Sequence, residues 1–355
     1  MSGDAELIAG SIGRLFADHV DRGLRERAEA GAFDAALWQR VVEGGYPWML
    51  AAEGAGGLGQ PWRHGFAVLR AIGHWQVPLP LADTLVAAQL AALAGFALPD
   101  GPLTLIEQGC GNDLHVHGGT GGERLSGTVH HVPWARHAQT ALLSLRDARL
   151  VLLPLRGARG LGLQPQVDLA GEPADTLHFD AVALPAPAGH TLALDQPAWT
   201  LGALARCAMM VGALESALAQ ALRHAGDRVQ FGRPIGRNQA IQQQLALLAG
   251  DVAAARMATQ VACDDAPDGA ATLFGTAVAK VRCGEAATRG TAIVHQVHGA
   301  IGFTQEHPLH FATRRLWAWR AQFGADAEWA QRLGRAAIRA GAAGFWPALT
   351  SRQLA

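Results

Sequence analysis

A chain of 355 residues is long enough for two or three domains, and with half of it hydrophobic it can bury a large core. Its 29 basic and 30 acidic side chains leave almost no net charge and no basic face, which excludes a nucleic-acid-binding class. The four cysteines, Cys110, Cys207, Cys263 and Cys283, are widely spaced with no CxxC pair, so neither a zinc site nor a disulfide framework is expected and a reducing cytoplasm fits them. The N-terminus opens Met-Ser-Gly-Asp-Ala-Glu, without a basic segment leading into an apolar run, so no signal peptide is read.

Residues 1–100 read as helical. Leu7, Ile8, Ile12, Leu15, Phe16 and Val20 recur near helical spacing over Ala5–Arg25, and Asp34–Glu43, Arg63–Gly73 and Leu81–Leu98 repeat the pattern. Gly54–Gly59 and Pro78-Leu79-Pro80 break it. Over 101–190 the period changes to two. Leu103–Ile106, His115–His117, Leu125–Val132, Thr140–Leu145, Leu150–Leu155 and Thr176–Leu184 predict a small antiparallel β domain. From 191 to 355 long apolar-periodic helices return at Leu201–Arg223, Gln239–Cys263, Ala270–Val297, His307–Gln322 and Ala327–Ala343, and the short turns between them predict an antiparallel bundle. Leu201–Leu222 is apolar enough to suggest a membrane span, but Arg206, Glu215 and Gln220 mark it as a buried bundle helix.

Two segments carry most of the chemical information. Asp227-Arg228-Val229-Gln230-Phe231-Gly232-Arg233-Pro234-Ile235, followed by Asn238-Gln239-Ala240-Ile241, falls between two helices and gathers a cation and several donors at one tip. Such a tip suits a pyrophosphate, because a guanidinium pairs two phosphate oxygens at once. Gln296-Val297-His298-Gly299-Ala300-Ile301-Gly302-Phe303 supplies small residues that let backbone N–H groups approach a ligand. Together these segments resemble the C-terminal signatures of the acyl-CoA dehydrogenase family. Further resemblance lies in Glu43-Gly44-Gly45, in Ala52-Glu53-Gly54-Ala55-Gly56-Gly57-Leu58-Gly59 and in the hairpin run Leu125-Ser126-Gly127-Thr128-Val129.

The resemblance implies an α+β fold: an N-terminal helical domain, a middle antiparallel β domain and a C-terminal four-helix bundle that drives oligomerisation. It implies FAD lying across a subunit interface. Arg228 would reach the pyrophosphate, with Gln230 and Phe231 flanking it and Ile235, Asn238 and Ile241 along its path. Gln296, His298, Gly299 and Gly302 would hold the adenosine-diphosphate half. The implied reaction is α,β-dehydrogenation of an acyl-CoA thioester, with electrons passed to an electron-transfer flavoprotein.

This chain departs from the family at four places. The flavin-contacting stretch becomes Ile106-Glu107-Gln108-Gly109-Cys110-Gly111-Asn112-Asp113, without its Thr and Ser, and Pro133 removes a backbone donor from the next flavin-facing strand. Both family positions for the catalytic glutamate are vacant. Ungapped counting places Phe323 at one and Gly202 at the other, so the base is unassigned. Asp326 and Glu328 are the nearest carboxylates, and the start of a helix is the competing explanation for both.

Two assemblies therefore stay open: a homo-oligomeric dehydrogenase, or a non-catalytic subunit paired with a base-bearing homologue. A flavin monooxygenase or nitroalkane-type oxidase is a third, without positive support. Among the remaining side chains, Arg206 and Glu215 are expected to pair with bundle neighbours. His295 and His298 lack a third ligand for a metal. Trp317, Trp319 and Trp329 are expected to pack, with a pocket wall or subunit interface as the sharper alternative.

Overall fold

The computed structural model describes residues 3–119, 122–185, 192–267 and 269–352. Among the described residues, α-helices come first: α1 (Gly3–His19), α2 (Arg22–Glu29), α3 (Ala35–Glu43), α4 (Trp62–Trp75) and α5 (Leu81–Leu93). The periodicity over Ala5–Arg25 is that of one helix, yet two form. Asp21 takes extended backbone and its carboxylate accepts the Leu24 N–H at 2.7 Å, which starts α2 afresh. Asp34 starts α3 in the same way, through the Leu37 N–H at 2.8 Å.

Among the described residues, strands follow: β1 (Leu103–Glu107), β2 (Asp113–Gly119), β3 (Gly122–Pro133), β4 (Thr140–Ser144), β5 (Leu150–Pro154), β6 (Leu161–Gln164) and β7 (Ala174–Ala183). They form two sheets, ordered β1-β4-β5 and β2-β3-β7-β6. Pairing is antiparallel except between β1 and β4, where Leu103 faces Thr140 and Glu107 faces Ser144 in parallel. That exception has a topological cause. The β2–β3 hairpin lies between β1 and β4 in sequence but belongs to the other sheet, so the chain has length enough to return in the same direction. Strand β6 was not expected. It is a short, largely exposed edge strand containing a glycine, and such a strand has no buried alternation to read.

The remainder is helical: α6 (Pro197–Asp227), α7 (Gln239–Asp265), α8 (Gly269–His298), α9 (Leu309–Ala321) and α10 (Asp326–Ser351). A two-residue ladder interrupts it, β8 (Val229–Gln230) with β9 (Arg233–Pro234), where a plain turn was expected. Helix α10 bends at Gly341. One apolar core runs without a break from Ile12 and Phe16 of the N-terminal helices through α6 to Leu316 and Trp319 of α9. The strands have their own core around Leu125, Val129, Leu143, Leu177 and Phe179. Two glycines allow α4 and α6 to meet at the backbone. A Cβ at Gly73 would lie 1.8 Å from the Met209 carbonyl oxygen, and one at Gly212 would lie 1.9 Å from that of Arg70. Helix α6 is thereby the spine that joins the N-terminal helices to the bundle and leads, at its far end, to the Arg228 tip.

Candidate cofactor face and cavity

Helix α6 ends at Asp227, and Arg228 caps it with extended backbone, its N–H bonded to the His224 carbonyl at 2.9 Å. The Ile235 N–H returns to the Arg228 carbonyl at 2.9 Å and closes the β8–β9 hairpin. Phe231 and Gly232 form its tip with φ of 50° and 78°. Two successive positive φ values are what a tight two-residue hairpin turn requires, and they cost a glycine nothing but a phenylalanine something. Phe231 is fully exposed (100 %) in that conformation. A strained, fully solvated aromatic has no reason to sit there for the sake of the isolated chain.

Arg228 and Gln230 are exposed beside it. Ile235 is buried beneath the tip, Ile241 is half-buried, and the Asn238 side-chain oxygen accepts from the Arg233 guanidinium at 3.2 Å. These three secure the hairpin from below. Of the second segment, Gln296 and Gly299 are exposed, and Gly299 has φ 64° with open space where a Cβ would be. His298 and Gly302 are buried. The His298 Nδ1 lies 2.7 Å from the Val294 carbonyl, and its Nε2 has no partner. Gly302 is crowded from within, since a Cβ there would lie 2.8 Å from the Cβ of His298. Both side chains therefore pack beneath the surface of the segment.

The two segments do meet. The His224 ring, one turn before Arg228, stacks on the His298 ring at 4.6 Å, and His298 contacts His307 edge-on at 4.6 Å. Burial lowers all three imidazoles, His307 to about 4, so they pack as neutral rings. Stacked rings do not converge their nitrogens on an ion, and among the described residues no cluster able to hold a metal is present.

A second site lies between the strands and the bundle. This cavity of about 540 Å³ is lined by the ends of β1 and β3, the loop before β7, the start of α6 and the end of α9. Gly202 and Phe323, which counting alone had put at the two vacant base positions, touch at its edge. A Cβ at Gly202 would lie 2.7 Å from the Phe323 ring. The ring also packs edge-on against Trp199 (6.2 Å) and over the Arg206 guanidinium (5.1 Å). One aromatic side chain therefore fills both places at which a carboxylate is looked for.

Asp326 and Glu328 do not line the cavity. Asp326 opens α10, with Ala325 rather than itself as the cap, and pairs with Arg320 at 3.0 Å. Glu328 sits in the first turn, 3.7 Å from Arg332. Both are explained by their helix terminus.

The carboxylates that do line the cavity went unrecognised in the sequence. Glu107 is buried and accepts the Trp199 N–H at 3.2 Å, and burial pushes it up to about 8, so it holds its proton at neutral pH. Asp168 accepts the N–H groups of Ala170 and Glu172 at 2.8 and 3.0 Å and the Gln322 amide at 3.1 Å. Burial, then the charge of Glu172, raises it to about 6. Glu107 falls in the stretch that stands for the family's flavin-contacting segment, but nothing in the sequence separates Asp168 from an ordinary surface acid.

Behind the cavity, Arg206 donates to both oxygens of Asp83 at 2.8 and 3.0 Å. Its ion-pair partner is thus on α5, its Nε also donates to Gln322 at the end of α9, and Glu215 pairs with Arg70 of α4 at 2.6 Å and Arg256 of α7 at 3.4 Å. Of the tryptophans, Trp317 lines the cavity, Trp319 donates to Glu172 at 3.0 Å, and Trp329 donates to the Phe323 carbonyl at 2.9 Å.

Residues 192–342 match the family model described as "Acyl-CoA dehydrogenase, C-terminal domain". Acyl-CoA dehydrogenase FadE27 of Mycobacterium tuberculosis is 30 % identical over 305 residues, covering 78 % of this chain and 81 % of the relative. Acyl-CoA dehydrogenase IpdE2 of the same organism is 28 % identical, covering 88 % and 90 %. Among solved structures, a chain of the ChsE4-ChsE5 complex from Mycobacterium tuberculosis superposes with a TM-score of 0.83 at 26 % identity, covering 95 % of this chain and 98 % of the other. A chain of the Tcur3481-Tcur3483 steroid ACAD G363A variant gives 0.87 at 28 %, covering 96 % and 99 %. The exposed Arg228 hairpin, the glycine-bearing segment it meets through His224 and the helix–strand–helix order thus have their explanation in descent: the chain belongs to the acyl-CoA dehydrogenase family.

Proposed function

We propose that this chain is a subunit of an FAD-dependent acyl-CoA dehydrogenase that completes a cofactor site across a subunit interface and carries no catalytic base of its own. The observation that carries this reading is the contact between Gly202 and Phe323, which fills both base positions with one ring. The exposed tip supports the other half. Arg228 would pair the pyrophosphate of an FAD held mainly by a neighbouring subunit, Gln230 and Phe231 would flank it, and Gln296 and Gly299 would receive the adenosine half. Ile235, Asn238 and Ile241 would hold the hairpin, and His298 and Gly302 the second segment, in register with it.

When bound, FAD supplies the acceptor for the hydride of an acyl-CoA, and an electron-transfer flavoprotein is the partner for its reoxidation. Removing the α-proton needs a carboxylate placed at that carbon, and the homologous partner would bring it. Two of the structural relatives come from two-component proteins, the ChsE4-ChsE5 complex and the Tcur3481-Tcur3483 steroid ACAD, which supports a hetero-oligomer. The four unpaired cysteines suit a cytoplasmic setting.

The test is flavin retention. In the complex with a base-bearing homologue, Arg228→Ala removes charge-assisted bonds worth roughly 1.5–3 kcal/mol each, so flavin absorbance should leave the protein peak on gel filtration. Full retention of FAD by that variant overturns the assignment of the tip.

A further inference from the structure

A second groove, of about 430 Å³, lies between α2, the end of α4 and the second half of α6. None of Arg228, Gln230, Phe231, Gln296 and Gly299 lines it, and it shares no lining residue with the cavity between the strands and the bundle. Its volume is more than an inorganic ion needs and suits a small organic molecule.

The charge of this groove is unbalanced. Arg25 and Arg223 both line it, and among the described residues neither has a carboxylate within ion-pair distance. Arg25 donates its Nε to the Trp75 carbonyl at 3.2 Å and one Nη to that of Val20 at 3.4 Å, which uses donors but leaves the charge. Burial and the neighbouring charge of Arg315 push its guanidinium down to about 10, against the opposing pull of Asp21. Arg223 is exposed and bonds to none of the described residues. Asp227, the acid among the lining residues, is itself exposed. Burial holds His74, His224 and His307 below the ordinary imidazole range, so they add no charge at neutral pH. What this groove lacks is an oxyanion, and a guanidinium fork matches the oxygens of a phosphoryl group.

The uncharged polar groups narrow the rest of the ligand. The Gln220 side-chain oxygen is buried without a partner. The Ser216 hydroxyl accepts from the Gln76 and Gln220 amides at 3.4 and 3.5 Å, and its own proton is left to give. An unused acceptor and an unused donor one helical turn apart are both answered by a hydroxyl group, which donates once and accepts as well.

We propose that this groove binds a phosphate monoester of a hydroxylated molecule, its phosphoryl group paired with Arg25 and Arg223 and a hydroxyl group held by Ser216 and Gln220. The site is separate from the one assigned to FAD, and a titration in the presence of FAD keeps the two readings apart.

Isothermal titration of the full chain with ribose 5-phosphate, ribose and inorganic phosphate tests it. Ribose 5-phosphate should bind, inorganic phosphate should bind more weakly, and ribose should give no heat at the same concentrations. Arg223→Gln removes a side chain that bonds to nothing in the fold, and should weaken ribose 5-phosphate at least about tenfold. Ala219→Trp, which adds bulk at an exposed position of the wall, should weaken it as well. Circular dichroism checks that both variants fold, and saturating FAD should leave the affinity of the unmodified chain unchanged. No heat from ribose 5-phosphate overturns the proposal. So does ribose or inorganic phosphate binding as tightly as the ester, affinity indifferent to Arg223→Gln or to Ala219→Trp, or binding that FAD abolishes.

Discussion

Glu107 shows how a single side chain can escape a sequence reading yet dominate a site. It ends the buried strand β1, and the backbone N–H of Trp199, at the start of α6, donates to it. That contact has no local signal. Asp168 is similar, since its third bond comes from Gln322, far along the chain. Counting from Phe231-Gly232 and from Pro308 singles out Gly202 and Phe323 separately, and the fold brings the two into contact. Glu107 also yields a pH prediction. Its folded-state carboxyl titrates at about 8 against an ordinary value of 4.5. Below the ordinary value both folded and unfolded chains hold the proton. As pH rises, the unfolded chain releases it first, so the folded state loses stability progressively until the folded group itself ionises. Glu107→Gln keeps an oxygen for the Trp199 N–H and does not titrate. The melting temperature of the variant minus that of the parent should therefore grow between about pH 5 and pH 8. A difference that stays flat over that range rules out a raised carboxyl.

Elements were read well where one face is buried and the pattern is long. Helices α4, α6, α7 and α8 fall within a few residues of their expected spans, and strands β1, β3, β4, β5 and β7 stand where alternation placed them. What failed was short, exposed or topological: edge strand β6, the β8–β9 hairpin, the restart of α2 at Asp21 and the parallel pairing of β1 with β4. A parallel pair is set by where the intervening hairpin goes, which alternation does not encode. The same limit hid the α4–α6 crossing, where Gly73 and Gly212 each face the other helix's backbone. This crossing predicts an outcome for a minimal change. Gly212→Ala puts a methyl 1.9 Å from a carbonyl oxygen that belongs to a packed helix and has little room to retreat. The helices must separate, and overpacking of this kind costs roughly 1–3 kcal/mol. Urea unfolding should show a midpoint shift of that order. Gly226→Ala, on the same helix with open space at its Cβ, should show none.

At the scale of the whole molecule, the Arg228 hairpin is exposed and shares no lining residue with the cavity between the strands and the bundle. The fully exposed Phe231, together with Val229 (57 %), Phe303 (75 %) and Ile301 (44 %), leaves apolar surface on the Arg228 hairpin and the Gln296–Phe303 segment that the chain does not cover by itself. A partner subunit is the natural cover, and light scattering of the purified protein should give at least a dimer. A stable monomer retaining FAD contradicts that expectation. The decisive comparison concerns activity. The α-proton of a thioester is weakly acidic, and loss of a general base typically costs about 10²–10⁴ in rate. With Phe323 at one base position and Gly202 pressed against it, the isolated chain should bleach its flavin with an acyl-CoA slowly or not at all. Rapid bleaching should appear on mixing with a base-bearing homologue. Asp326 and Glu328 are held at the start of α10 by Arg320 and Arg332 and stay outside the cavity. Asp326→Asn and Glu328→Gln should therefore leave the activity of the mixture intact. Bleaching by the isolated chain that either substitution abolishes would place a relocated base on α10 and end the reading of this chain as the non-catalytic partner.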